Sequence, residues 1–560
     1  MKDKKTNTML KKLVVILPIF LLISCGSGKG KLPSDAPLLP TTFQGATFSS
    51  ADNCAVCHDN LTDSNGNPHS IVKDWRATMM ANSSKDPLWV AKVSSELKRT
   101  PNIKDEINDK CSTCHAPMAS VESKKNAIKP NVLASNDGFL KAGNLHYKQA
   151  LDGISCTFCH QIKNTENFGT KAGMSGKYTI ESFANLIDRK LYGQYNDPRV
   201  RPMQKHVQFT PTQSSHISSS SLCATCHNLK TPYADASGNL VANEEFPEQM
   251  SYSEWQHSDF DDEGAKFKSC QTCHMPKIAS TKIANRPRNL SARANFSKHN
   301  FLGANNYMLD VLKNNAVEIG VSGVDFDTAI GDNREFLKTA VAINIEQQSI
   351  ANSILTVKVK LNNLSGHKTP TSYPSRRVYL HVLLTDSADK VIFESGKTNA
   401  NGSIVGNDAD SNPLKHEPHY DKINNPQQVQ IYEAIMADTA NALTHTLLRA
   451  KTYLKDNRLL PQGFDKSTAS ADIAVHGRAT TDNNFIGGGD DIDYQIDISE
   501  ASAGDLTLKI DLNYQTVSYQ YLQDLYQDSE LEEVSRLKKY LNKSHILFET
   551  LGSKTKVIPH

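Results

Sequence analysis

Ten of the chain's 11 cysteines and five of its 19 histidines fall into one repeated pattern, Cys-x-x-Cys-His. The copies are Cys54-Ala55-Val56-Cys57-His58, Cys111-Ser112-Thr113-Cys114-His115, Cys156-Thr157-Phe158-Cys159-His160, Cys223-Ala224-Thr225-Cys226-His227 and Cys270-Gln271-Thr272-Cys273-His274. In each, two thiols can add across the two vinyl groups of one haem, and the histidine that follows can be held against the iron as its proximal ligand. Zinc ribbons use cysteine pairs in twos to build four-ligand sites, and five pairs is an odd number. A redox dithiol needs no histidine directly after its second cysteine. The pattern therefore predicts five covalent c-type haems with their iron. They would be attached at Cys54, Cys57, Cys111, Cys114, Cys156, Cys159, Cys223, Cys226, Cys270 and Cys273 and ligated by His58, His115, His160, His227 and His274. Apart from Cys25, near the N-terminus, no cysteine is left over for a disulfide or a lone reactive thiol.

Each iron has a second axial position. A histidine or methionine there gives a saturated electron-transfer centre, and an open position gives a site for a substrate. The 14 histidines outside the motifs exceed the demand. His216 lies seven residues before Cys223 in a polar stretch with no apolar periodicity to bury it. His367 sits in the turn Ser365-Gly366-His367 between two expected strands. His69, eleven residues after His58, and His146, ten residues before Cys156, could each serve a nearby iron. Met79 and Met80, on an expected helix with Trp75, offer thioethers that would raise a haem's potential, although methionine also fills core gaps. Met118 and Met275, directly after motifs, suit packing against haem faces. Of His416 and His419, which flank Glu417-Pro418, one could reach a haem or both could be structural.

The elements that must position these residues differ between the two halves. From Cys54 to Asn300 the chain has few long periodic apolar runs and many short polar segments such as 214–221, a poor core for an ordinary globular domain. Haems resolve this: each is a large apolar body that the chain needs only to wrap, with short helices at the motifs and irregular loops between. Motif starts at 54, 111, 156, 223 and 270 imply haems near one another. Residues 311–333 read as a helix and a loop. Beyond them the pattern becomes two-residue alternation: Leu355, Val357, Val359 and Leu361; Val378, Leu380, Val382 and Leu384; Leu506, Leu508, Ile510, Leu512 and Tyr514. Such strands between turn-rich loops predict an antiparallel sandwich. Leu443, Leu447, Leu448 and Tyr453 predict a helix over 443–457, and Leu531, Val534, Leu537 and Leu541 an amphipathic closing helix over 529–542. The expected fold class is thus a mainly irregular and α-helical haem domain followed by a β-sandwich-like domain with a closing helix. Its divisions are 1–24 leader, 25–45 tether, 46–310 haem domain, 311–335 connector and 336–560 β-rich domain with helices.

Lys2, Lys4, Lys5, Lys11 and Lys12 precede a short apolar run, Leu13 to Ile23, too short to span a bilayer comfortably. Leu22-Ile23-Ser24-Cys25 resembles a bacterial lipobox, so cleavage before Cys25 and acylation of its sulfur would anchor the chain in a membrane. Gly26 follows, not the Asp that marks inner-membrane retention, which points to the outer membrane, facing the periplasm or the cell surface. The segment from Gly26 to Pro40 reads as a flexible tether. Formal net charge is +2, from 62 basic and 60 acidic residues, with no basic block beyond the leader, which argues against a nucleic-acid partner.

Several phrases resemble those of bacterial multihaem c-type cytochromes. They are Asp152-Gly-Ile-Ser-Cys-Thr-Phe-Cys-His-Gln-Ile162, His216-Ile217 ahead of Leu222-Cys-Ala-Thr-Cys-His227, and Ser269-Cys-Gln-Thr-Cys-His-Met-Pro276. In the second half Gly366-His-Lys-Thr-Pro370, Tyr373-Pro-Ser-Arg-Arg377 and Glu417-Pro-His-Tyr420 resemble the trailing domain of one such group. The resemblance implies electron transfer in a respiratory or extracellular chain at the outer membrane, with other cytochromes or quinol-linked donors as partners. His299, before Asn300-Phe301-Leu302-Gly303, resembles a ligand-bearing segment after the last haem. Two alternatives stand beside this carrier. One is an oxidoreductase acting on a small nitrogen or sulfur species at one open haem, with His, Lys, Arg or Tyr supplying protons. The other is a structural subunit of a haem filament or porin-linked conduit. All five motifs end in His, so the Lys-ligated motif of some haem nitrite reductases is absent.

Overall fold

Every motif lies on or beside a short helix, because one helical turn brings the two cysteines of Cys-x-x-Cys onto one face. These helices are α1 (Ala51–His58), α3 (Lys104–His115), α4 (Cys156–Cys159), α5 (Ser220–His227) and α6 (Cys270–His274), with α2 (Pro87–Arg99) packed against α3. Local signals start them. Ser219 caps α5 through Ser221 N, Ser269 caps α6 through Thr272 N, and Asp86 caps α2 with Pro87 at its first position. The computed structural model describes residues 42–560; the leader, Cys25 and most of the tether lie outside them. Between the motif helices run short two-stranded pairs and turns.

The second half begins with helices α7 (Asn306–Asn314) and α8 (Phe326–Leu337) where a helix and a loop were expected. Ten strands follow: β1 (Val341–Ala351), β2 (Ile354–Asn363), β3 (Arg377–Thr385), β4 (Val391–Ser395), β5 (Lys422–Ile423), β6 (Ile431–Ala437), β7 (Thr452–Asp456), β8 (Gly489–Asp497), β9 (Leu506–Gln515) and β10 (Glu549–Ile558). Helices α9 (Tyr519–Tyr526) and α10 (Glu532–Leu541) interrupt the last pair. One sheet has the order β5-β8-β2-β1 and the other β7-β6-β3-β9-β10, with β4 also on β3. Alternation sets the register. Val357 faces Tyr494 and Val359 faces Ile492 in one sheet, while Leu380 faces Leu512 and Val382 faces Ile510 in the other. These inward rows join in one apolar core, so the sheets pack face to face as a sandwich.

The helix expected over 443–457 does not form. Its residues make a single turn, Leu447–Arg449, and strand β7, paired with β6 from Ala434↔Asp456 to Ala437↔Thr452. The apolar spacing there was short enough to serve either period, and the unpaired edge of β6 decided it. The closing helix does form, as α10. It returns to the first half, where Val534 and Leu537 share a core with Ala91 of α2 and with Leu309, Leu312, Phe326 and Ile330. Ser94 and Ser95 of α2 donate to Glu533 and Asp528 at 2.8 and 2.6 Å.

A buried ionic network ties the halves together at the candidate site. Lys368 Nζ meets Asp456 Oδ2 at 2.8 Å, Arg458 meets the same carboxylate at 2.7 Å, and Arg458 also meets Glu254 Oε1 at 2.9 Å. Glu254, in the first half, accepts from Lys368 N and Thr371 Oγ1. The loop 366–370 is thereby clamped to the first half. Gly366 packs closely here: a Cβ there would sit 3.2 Å from Trp255 Cδ1 and 3.4 Å from Phe260 Cβ, so these side chains would have to give slightly.

Candidate functional site

A continuous cavity of about 1130 Å³ runs through the first half, and all three residues of motifs one, three, four and five line it. Its walls include Trp75, Phe158, Trp255, Phe296 and Phe336, aromatic bodies suited to flat apolar cofactors. Cys111, Cys114 and His115 lie outside it; there Trp89 stacks on the His115 ring at 4.8 Å. Among the described cysteines none forms a disulfide.

Three of the motif histidines are set in one tautomer by short backbone hydrogen bonds. His58 Nδ1 donates to the Ile283 carbonyl at 2.7 Å, His160 Nδ1 to Tyr192 O at 2.6 Å and His274 Nδ1 to Leu302 O at 2.6 Å. His115 Nδ1 faces Ser83 O at 3.4 Å. A backbone acceptor on Nδ1 leaves the Nε2 lone pair free, which is how metal-bound imidazoles are oriented. Burial pushes these rings toward neutrality, His115 and His274 to about 4. Neutral nitrogens, paired thiols and an apolar cavity together fit covalent c-type haem.

Thiol contacts give the motifs a spatial order. Cys54 meets Cys156, Cys114 meets Cys226, and Cys223 meets Cys270. Cys159 also lies within electrostatic reach of Cys226. Motif one thus adjoins three, and motif four adjoins two, three and five.

Two histidines from outside the motifs stand opposite motif histidines. The His160 and His299 ring centroids are 6.4 Å apart with planes 22° from parallel, and those of His274 and His367 are 6.3 Å apart at 15°. An imidazole nitrogen binds a first-row metal at about 2 Å, so one ion between two imidazoles puts their centroids about 6 Å apart. His299 Nδ1 donates to Ser297 O at 3.0 Å and His367 Nδ1 to Lys368 O at 2.9 Å, the same orientation as the motif rings. Burial depresses His299 to about 3. No second histidine lies at this spacing from His58, His115 or His227 among the described residues.

The remaining candidates are placed elsewhere. His216 has both nitrogens engaged inside the protein: its Nε2 is 2.9 Å from Ile162 O and its Nδ1 2.6 Å from Ser214 Oγ. His69 bonds Thr281 Oγ1 through Nε2 at 2.7 Å, its Nδ1 has no partner, and it does not line the cavity. His146 is buried with Nε2 unpartnered beside Phe139, also outside the cavity. Met79 and Met80 follow the end of the helix Ile71–Arg76 and line the cavity, as does Met275, whereas Met118 packs in a separate cluster with Phe48 and Phe158. His419 is structural: Nε2 bonds Asp482 at 3.0 Å and Nδ1 accepts from Gln430 and Asn457. One buried histidine escaped the sequence reading, His445, whose Nε2 has no partner. It falls inside the segment expected to be helical, where nothing marked it.

Residues 53–161 match the family described as cytochrome c554 and c-prime. The chain is also similar in fold to a penta-heme cytochrome c552 from Thermochromatium tepidum, with a TM-score of 0.50 and 14% identity over 93% of this chain and 100% of that one. No curated protein matches the sequence. The five motifs, the family match over residues 53–161 and the shared fold together support a multihaem c-type cytochrome, an electron-carrying protein.

Proposed function

We propose that all five motifs carry haem and that the protein relays electrons among them, with the fourth motif as the junction between the first-and-third pair, the second and the fifth. The observation that carries this reading is the pair of facing imidazoles, His160 with His299 and His274 with His367. An iron held between two such rings is saturated, the state suited to carrying electrons. His299 and His367 are the sixth ligands in this reading. Bound haem supplies the one-electron couple, and the protein supplies spacing, burial and orientation. The carbonyls of Ile283, Tyr192 and Leu302 hold the motif rings in place, and the aromatic walls limit water. Cys25, acylated, anchors the protein in the outer membrane, where it exchanges electrons with other cytochromes or quinol-linked donors. Low-temperature EPR of the fully oxidised protein tests the relay: low-spin signals from the His299 and His367 sites support it, and high-spin signals from both would overturn it.

A further inference from the structure

Outside the cavity, next to the second motif, lies a buried group of ionisable side chains for which electron carriage by itself has no use. Glu248, near the end of the strand Leu240–Gln249, is 5% exposed. One of its oxygens accepts from the Gln249 amide at 3.0 Å, and it forms no ion pair among the described residues. The neighbouring cation is already committed: Lys92 Nζ is 2.9 Å from Glu96, donates to the His445 carbonyl at 2.7 Å and lies over the Tyr521 ring at 5.3 Å. Glu96 in turn takes Leu447 N at 2.7 Å and Leu448 N at 3.2 Å. Lys110 of α3, Tyr373 of the loop before β3 and Tyr453 of β7, whose hydroxyl lies 3.4 Å from the Glu248 carbonyl, complete the charged and titratable surroundings. Glu248 lies within electrostatic reach of Cys111 and Cys114, the attachment cysteines of the second motif.

We propose that Glu248 is a proton-binding site coupled to electron arrival at the second motif. The proposal rests on that motif being loaded with haem. Burial, the largest cause, and the nearby Glu96 push the Glu248 carboxyl up to about 7, so it exchanges a proton in the neutral range. An electron placed beside a buried carboxylate raises that carboxylate's proton affinity, and by reciprocity a bound proton favours the electron. The step balances: one electron comes from a reduced partner protein, one proton comes from solvent, Glu248 passes from carboxylate to carboxylic acid, and the net charge of the region is unchanged.

The test is spectroelectrochemical titration of the full loaded protein at several pH values between 6 and 8, after intact mass has established how many haems are bound. One haem's reduction equilibrium should change little with pH near 6 and steepen above 7 toward a tenfold shift per pH unit, equivalent to 59 mV for one electron. Glu248→Gln keeps the shape and removes the titration, so that slope should vanish while the other haems are unmoved. Glu248→Asp should retain a slope about a displaced midpoint, which separates lost titration from lost folding. Infrared difference spectra should show a carboxyl band on reduction that is absent in E248Q. With five haems bound, potentials that do not respond to pH in the native protein, or a full slope persisting in E248Q, would overturn the proposal. A mass lacking one haem and traced by peptide mapping to Cys111 and Cys114 would instead overturn the loading on which it rests.

Discussion

His299 and His216 both occupy polar segments without apolar period, and nothing in their immediate neighbours separates them. Their nitrogens do. His299 spends Nδ1 on Ser297 O and turns its other face to His160, whereas His216 spends both nitrogens on Ile162 O and Ser214 Oγ. Replacing His299 or His367 by alanine should therefore turn one low-spin haem high-spin in EPR and leave the others unchanged. His216→Ala should leave every iron signal in place and lower stability by about 1–3 kcal/mol, because it strands a buried carbonyl; chemical denaturation of the loaded protein checks this. An H216A protein with a new high-spin signal would contradict the assignment.

At the scale of elements, the loop 366–370 is held by charge. Asp456 sits between Lys368 and Arg458, and those cations keep its carboxyl well below the usual carboxylate range even though burial opposes them. Because its folded pKa is depressed, the stabilisation is complete above about pH 4 and is lost as pH falls below that value. Asp456→Asn leaves two buried cations facing one amide and should cost roughly 3–5 kcal/mol. Thermal unfolding at pH 7 should register the loss, and the difference from native should shrink under strongly acid conditions. The same variant should broaden or split the low-spin EPR signal of the His274–His367 iron, since the loop carries that ligand.

For the molecule as a whole, the first half is a shell around space. A cavity of about 1130 Å³ lined by four motifs is far larger than a protein leaves empty at no cost, so the fold presumes its cofactors. Protein made in cells with cytochrome maturation should have the mass of the processed chain plus five haems and stay red when denatured; a mass showing three or fewer would refute the five-haem reading. Cys25→Ala should block lipoprotein processing and reduce recovery in the outer-membrane fraction. Unchanged partitioning would mean that the lipobox is not used.

The haem chemistry was legible because attachment is local: five residues in a row carry both thiols and the proximal imidazole, whatever surrounds them. The sandwich was legible for a similar reason, since alternation along Leu355–Leu361 or Leu506–Leu512 states which face is buried. The proposed sixth ligands are not local. His367 lies 93 residues from His274 in sequence and reaches it only because Glu254, Asp456 and Arg458 clamp its loop across the two halves. Strand β7 was missed because its pairing with β6 outweighs a local spacing that also suits a helix. Glu248 and His445 carry no sequence mark at all. Burial at the junction between the two halves gives them their character, and burial is a property of the assembled fold.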